Sequence, residues 1–182
     1  MAKIVVPPGK EDAWITQVYD CLICRTSLMI VIPEGVETEQ ITGFFEAQRE
    51  SLQKRLTDLQ EMPPDSSPGN LEYFVLDLND TEDVTTFNSI VREYACGYTS
   101  DDIPVEEAHP YRILVLVNPM QYRGNTDVST PLSVAAHQTG VAFAMTARQY
   151  KETLEQDKMY GYLKNALGAY VDGTISFLKV EK

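Results

Sequence analysis

Cys21 and Cys24 form a C-x-x-C, and Cys96 stands apart from them. A redox dithiol of this kind sits after a strand, at a helix N-terminus that lowers the thiol pKa. Here the pair lies late in an amphipathic pattern (Trp14, Val18, Tyr19, Leu22, Ile23) and just before an apolar run. A structural zinc site takes four ligands, usually two such pairs, and Cys96, His109 and His137 are not spaced to complete one. Buried or half-buried structural thiols are the expectation for Cys21 and Cys24, with zinc and redox chemistry as alternatives. The sequence holds no G-x-S-x-G and no H-E-x-x-H. His137 reads as a structural or surface histidine, and His109, next to Pro110, as an exposed one. Asp77 at a strand end, with residues 118–123 after a later strand, admits a metal-nuclease reading. That chemistry wants a second acid and a Lys, for which Gln121 and Arg123 are poor substitutes. No catalytic residue, metal or cofactor is expected.

Charge says more than motifs do. Lys plus Arg is 15 and Asp plus Glu is 27, a net charge of −12. Residues 70–110 hold Glu72, Asp77, Asp80, Glu82, Asp83, Glu93, Asp101, Asp102, Glu106 and Glu107 against Arg92 alone. Phosphate-backbone binding needs clustered Lys and Arg, so direct nucleic-acid binding is disfavoured. The acidic stretch either solubilises the protein or docks a basic partner. Asp77, Asp80, Asp101, Asp102, Glu106 and Glu107 are the candidate partner-binding residues. The ten tyrosines, among them Tyr150, Tyr160, Tyr162 and Tyr170, read first as core edges and second as an interface.

The elements that must position these residues alternate. Glu11–Cys24 is helical by apolar spacing, Ser27–Ile32 is a buried strand, and 38–62 is a long amphipathic helix. Residues 63–70 (PPDSSPGN) are a loop. A strand over 71–78 leads to a helix capped by Asp80 or Thr81 and stopped at Gly97. Residues 98–109 form an acidic loop, and Tyr111–Val117 is the clearest strand. After a loop over 118–130 come a short helix over 131–138, a strand over 141–145, a helical stretch over 146–167 and a strand over 174–180. Strands apolar throughout need cover on both faces. The prediction is therefore a three-layer α/β fold with a mostly parallel five-stranded sheet and helices on both faces. Strands 29–32 and 112–117 are placed centrally, with 71–78 beside them. At 182 residues this is one domain, 1–182, with 1–10 as an N-terminal extension. No apolar run approaches the ~18 residues of a membrane span. The start, MAKIVVPPGKED, is too short and polar for a secretory signal, so a cytoplasmic location is expected.

Ligands of open parallel sheets bind beyond the carboxyl ends of the strands, and one such end carries a resemblance. The string LMIVIPEGVETE, residues 28–39, resembles the strand and phosphate loop of the P-loop NTPases, nearest the AAA+ and STAND ATPases, where an apolar strand runs into G-P-x-G-x-G-K-T. In the same order, 112–118 resembles the Walker B strand and 140–148 (GVAFAMTAR) the sensor strand. The resemblance spans about residues 11–150 in pattern and order. It implies a nucleotide-loop remnant of Pro33, Glu34, Gly35, Glu37, Thr38 and Glu39, with Asn118, Thr146 and Arg148 around it. The departures are specific. Ile32 replaces the first loop glycine, Glu37 the third, Thr38 the lysine and Glu39 the hydroxyl residue. A working loop offers backbone N–H groups and a Lys to the phosphates, with Ser or Thr on magnesium. Glu37 and Glu39 would instead face them, each like-charge contact at ~4 Å costing roughly 1–4 kcal/mol. Asn118 and Pro119 stand where the Walker B acid belongs. Another parallel α/β fold with an incidental Pro-Glu-Gly turn is the alternative.

The expected function is that of a non-catalytic protein-interaction module or subunit with a pseudo-NTPase-like fold and a protein partner, not nucleic acid or membrane. An acidic inhibitor or decoy docking a basic partner, and a small enzyme with an unidentified carboxylate site, are the alternatives. A homo-oligomer is compatible with the same reading.

Overall fold

A computed structural model describes residues 2–58, 71–119, 139–152 and 171–182. The elements run β1 (Lys3–Val5), α1 (Glu11–Cys24), β2 (Ser27–Ile32), α2 (Thr38–Asp58), β3 (Leu71–Asp77), α3 (Thr81–Cys96), α4 (Val105–Ala108), β4 (Tyr111–Val117), β5 (Gly140–Thr146), β6 (Val171–Ile175) and β7 (Lys179–Glu181). Residues 147–152 are helical.

Five strands form one sheet in the order β3-β4-β5-β2-β6, every pairing parallel. The expected three-layer α/β architecture is what the chain adopts, with β2 and β4 both inside the sheet and β3 at the edge beside β4. Alternate residues of each strand feed two separate cores. On one face Leu28, Ile30, Ile32, Ile113, Val115 and Val117 pack under α1 and α2. On the other, Met29, Leu76, Leu114, Leu116, Phe143 and Met145 pack under α3. The split follows from crossover handedness. The chain moves one way along the sheet from β2 to β3 and back the other way from β3 to β4. Right-handed connections then put α2 and α3 on opposite faces.

Specific residues hold the layers together. Trp14 of α1, Phe44 and Phe45 of α2 and Tyr73 of β3 form a chain of tilted and edge-on rings, centroids 5.0–5.9 Å apart. Offset geometry of this kind adds to the area buried. The end of α1 lies against β5 at Gly140, where a Cβ would come within 2.8 Å of the Cys21 carbonyl oxygen. Only glycine permits that approach. At α3, Asp80 accepts from the backbone N–H of Glu82 and Asp83, and Gly97 closes the helix at φ 78°.

The structure departs from the sequence reading at the chain's ends. The strand expected over 174–180 is two strands. Val171–Ile175 extends the parallel sheet beside β2, whereas Lys179–Glu181 pairs antiparallel with β1 in a separate ribbon. Leu178, 7% exposed, turns inward between them. Within the stretch expected as an N-terminal extension, Ile4 is 1% exposed and β1 packs on α2. Both strands are three residues long and pair across nearly the whole sequence, so no local pattern announces them. Residues 98–109 contain the helical turn Val105–Ala108. The expectations for 59–70, 120–138 and 153–170, including Gln121, Arg123, His137, Tyr160, Tyr162 and Tyr170, lie outside the described residues.

Candidate functional site

At the carboxyl edge of the sheet, the chain leaves β2 through Pro33, Glu34 and Gly35 and enters α2 at Thr38. Gly35 has φ 78°, a left-handed conformation that glycine takes without steric cost. Beyond this turn lies a cavity of about 300 Å³, lined by Glu37, Thr38, Asp77, Asn118, Thr146 and Gln149 among others. These side chains come from the ends of β2, β3, β4 and β5. The cavity sits where β5 and β2 are neighbours and their connections run in opposite directions along the sheet, the place where parallel sheets bind ligands.

A chain of hydrogen bonds crosses it. The Thr38 hydroxyl donates to Asp77 Oδ2 at 3.0 Å, and Asn118 Nδ2 donates to Asp77 Oδ1 at 3.0 Å. Gln149 Nε2 donates to Asn118 Oδ1 at 3.3 Å. The backbone N–H of Asn79 adds a further bond to Asp77 Oδ1 at 2.9 Å. Asn118 has φ 53°, a left-handed conformation that Asn tolerates better than most residues.

The helix N-termini at this edge are occupied by their own side chains. Gln40 Oε1 accepts from the Glu37 N–H at 2.8 Å, and its Nε2 donates to the Ala2 carbonyl. Thr146 and Gln149 form a reciprocal capping box, the Thr146 N–H to Gln149 Oε1 at 2.9 Å and the Gln149 N–H to Thr146 Oγ1 at 3.2 Å. Asp80 caps α3, and Asp83 Oδ2 accepts from the Asp77 N–H at 2.8 Å. The N–H groups of Glu37, Glu82, Asp83, Thr146 and Gln149 are thus used internally. The described residues lining the cavity include the acids Asp77 and Glu37, the latter exposed, and no Lys or Arg. An anion placed there meets negative charge.

The residues singled out in the sequence fall into three places. Glu37, Thr38, Asn118 and Thr146 meet at the cavity. Glu34, Gly35 and Glu39 are exposed, Pro33 is half-buried, and none of the four lines it. The second carboxylate of the cavity is Asp77 in place of Glu39, which points away one residue into α2. Arg148 is exposed and paired with Glu152 at 2.9 Å, and that partner raises its pKa. Of the proposed partner-binding acids, Asp77 and Asp80 are engaged in the bonds above. Asp101, Asp102, Glu106 and Glu107 are exposed, and Glu106 meets Arg25 at 3.0 Å. Of the cysteines, Cys21 is buried with its Sγ 3.2 Å from the Thr26 carbonyl oxygen, whereas Cys24, at the last residue of α1, is exposed, which corrects the expectation of a buried or half-buried thiol there; Cys96 is exposed too.

A second polar cluster lies at the amino ends of β3 and β4. Arg112, 5% exposed, bonds Glu72 Oε2 through Nε at 3.1 Å and lies 3.8 Å from Glu93. Its guanidinium stands over the rings of Phe74 and Tyr94. His109 is half-buried, with Nδ1 2.9 Å from Glu72 Oε1, so the expectation of an exposed histidine is corrected. Glu72, Glu93 and the His109–Arg112 segment are separated in sequence, and register brings them together: Glu72 and Arg112 are direct partners in the β3–β4 ladder. Gln149 was equally hidden, although Thr146-x-x-Gln149 after an apolar strand is a legible capping box.

No group of three or more His, Cys, Asp or Glu residues placed to hold a metal ion occurs among the described residues. No family model matches the chain, and no curated protein matches it.

Proposed function

We propose that this chain is a non-catalytic protein-interaction module on a degenerate P-loop NTPase-like scaffold. What supports the resemblance is convergence. The three stretches that carry it, 28–39, 112–118 and 140–148, supply Glu37 and Thr38, Asn118, and Thr146 to one cavity. What argues against catalysis there is the content of that cavity. Thr38, Asp77, Asn118 and Gln149 bond one another where phosphate and magnesium would sit, beside two carboxylates and no described cation.

Each carboxylate repels a phosphate charge, and side chains of the protein already take the Glu37, Thr146 and Gln149 N–H groups at this edge. With nucleotide chemistry disfavoured, the scaffold serves to present surface to another protein. Calorimetric titration with magnesium-ATP tests the reading. No saturable heat is expected in the submillimolar range, and a clear submillimolar isotherm or measurable hydrolysis would overturn it.

A further inference from the structure

Two large hydrophobic side chains are exposed among the described residues, Tyr98 at 56% and Ile103 at 44%. Both belong to the loop between α3 and α4, and that loop is built to hold its shape. Tyr98 and Pro104 form an isolated antiparallel bridge. The Thr99 N–H donates to the Ile103 carbonyl at 2.9 Å, the Asp102 N–H to the Thr99 carbonyl at 3.1 Å, and the Val105 N–H to the Gly97 carbonyl at 3.1 Å. The Thr99 hydroxyl accepts from the N–H groups of Asp101 and Ile103 at 3.4 Å. Asp102 takes φ 58° at the tip. Both ends are anchored: Gly97 caps α3, and Val105, 2% exposed, is sunk into the core under α3. Arg25 ties the far side through Glu106.

A loop ordered in this way loses little conformational freedom on binding, so contacts made by its side chains go into affinity. An exposed Tyr in one ordered loop with an exposed aliphatic is the composition of an interface anchor. Carboxylates share the loop with the pair and follow it in sequence: Asp101, Asp102, Glu106 and Glu107 are exposed, and residues 97–108 contain no Lys or Arg. That rim repels anionic lipid surfaces and nucleic acid. It also repels a second copy of a chain whose net charge is −12.

We propose that this loop is a docking knob for a basic protein. Tyr98 and Ile103 enter an apolar recess of the partner, and Asp101, Asp102 and Glu107 meet Lys or Arg around its mouth. The assignment rests on the reading of the chain as an interaction module and adds which surface it uses and for what partner. The anchors determine the dissociation rate, and the rim determines the association rate and its salt dependence.

The test is selection from a displayed library of random peptides on the wild-type protein, with binding of the enriched peptides then measured to Tyr98→Ala, Ile103→Ala and the double charge variant Asp101→Asn/Asp102→Asn. The substituted side chains are exposed, and unchanged melting temperatures establish that each variant is folded. Enriched peptides should combine Lys or Arg with aromatic or aliphatic residues and should weaken by about tenfold or more on Tyr98→Ala, the usual scale of an anchor. The charge variant should slow association at low salt and leave dissociation unchanged. No enrichment, peptides lacking basic residues, or equal binding to wild type and Tyr98→Ala would each overturn the knob. So would concentration-dependent dimerisation lost in Tyr98→Ala, since the occupant would then be a second copy. A magnesium-ATP isotherm overturns the non-catalytic reading instead, whatever the peptides do, so the two failures are distinguishable.

Discussion

If the carboxyl-edge cavity is a phosphate site turned negative, restoring its charge should restore its ligand. The perturbation is Glu37→Gly, Thr38→Lys and Glu39→Thr together, with Ile32, 2% exposed, left in the core. A phosphate charge at ~5 Å from a carboxylate costs about 3 kcal/mol at an effective dielectric near 20. Glu37 and Asp77 both line the cavity, so the wild type faces that penalty twice. The cavity opens to water, which cuts each contribution to roughly half. Removing Glu37 then returns about 1.5 kcal/mol, and the added ammonium contributes about as much again. Asp77, which loses its Thr38 bond, will take part of that ammonium's attraction. The expected gain for magnesium pyrophosphate or magnesium-ATP is therefore between about tenfold and a hundredfold in affinity. Isothermal titration calorimetry measures it, with circular dichroism to establish the fold. The control is Glu39→Thr alone, which should bind no better than wild type because Glu39 is exposed and does not line the cavity. A folded triple variant with no gain, or an equal gain from Glu39→Thr alone, refutes the electrostatic argument.

Other outcomes can be read from stability alone. Gly140→Ala drives a Cβ against the Cys21 carbonyl oxygen and should cost about 1–3 kcal/mol as overpacking. Gly43→Ala, at an exposed position in the second turn of α2 with nothing within 4 Å of the new Cβ, should instead stabilise by about 0.5–1 kcal/mol; urea unfolding separates the two. Arg112→Met strips Glu72 and Glu93 of their buried partner. Both carboxylates are near 30% exposed and can rehydrate, so the loss should fall near the lower end of the usual range, about 3 kcal/mol. That corresponds to roughly 6–12 °C in melting temperature by calorimetry. Tyr73 carries a buried hydroxyl with no hydrogen-bond partner among the described residues, so Tyr73→Phe should be neutral or stabilising by up to ~1 kcal/mol. Burial also pushes the Tyr73 phenol well above its ordinary value of 10.0, against a smaller opposing pull from Arg49. Its contribution to stability is intact below pH 10.0 and is lost as pH climbs through the raised folded value. Stability profiles of wild type and Tyr73→Phe should therefore diverge only on the alkaline side.

The elements legible in the sequence were those whose signals are local. Trp14, Val18, Cys21 and Leu22 recur at helical spacing, and they are the residues α1 buries. Asp80 and Gly97 bracket α3 because a carboxylate suits orphan N–H groups and glycine suits a left-handed end. The parallel sheet was readable because two-sided burial leaves continuous apolar runs such as Tyr111–Val117, six of whose seven residues are buried. What stayed hidden depends on register. Asp77 reads from the sequence as a strand-end acid with residues 118–123 after a later strand, but its bonds to Thr38 and Asn118 follow only once β3 and β4 pair along their length. The same pairing sets Glu72 against Arg112. Sequence marks the residue types present, but the partner of a charge is fixed only when strands are aligned.

The β1–β7 ribbon has a mechanical consequence. Lys3 faces Glu181 and Val5 faces Lys179, so the chain enters and leaves at the same end of an antiparallel pair. Tension applied along the chain from both sides loads the outermost rung first and then the next, as in a zip. The parallel sheet behind it is spared until the ribbon has opened. The first groups to part include the Ala2 carbonyl, which holds the Gln40 side chain whose other end caps the Glu37 N–H. Pulling on the ends therefore acts on the first turn of α2 and the wall of the cavity before it disturbs either core, and the ribbon serves as a low-force fuse wired to the loop.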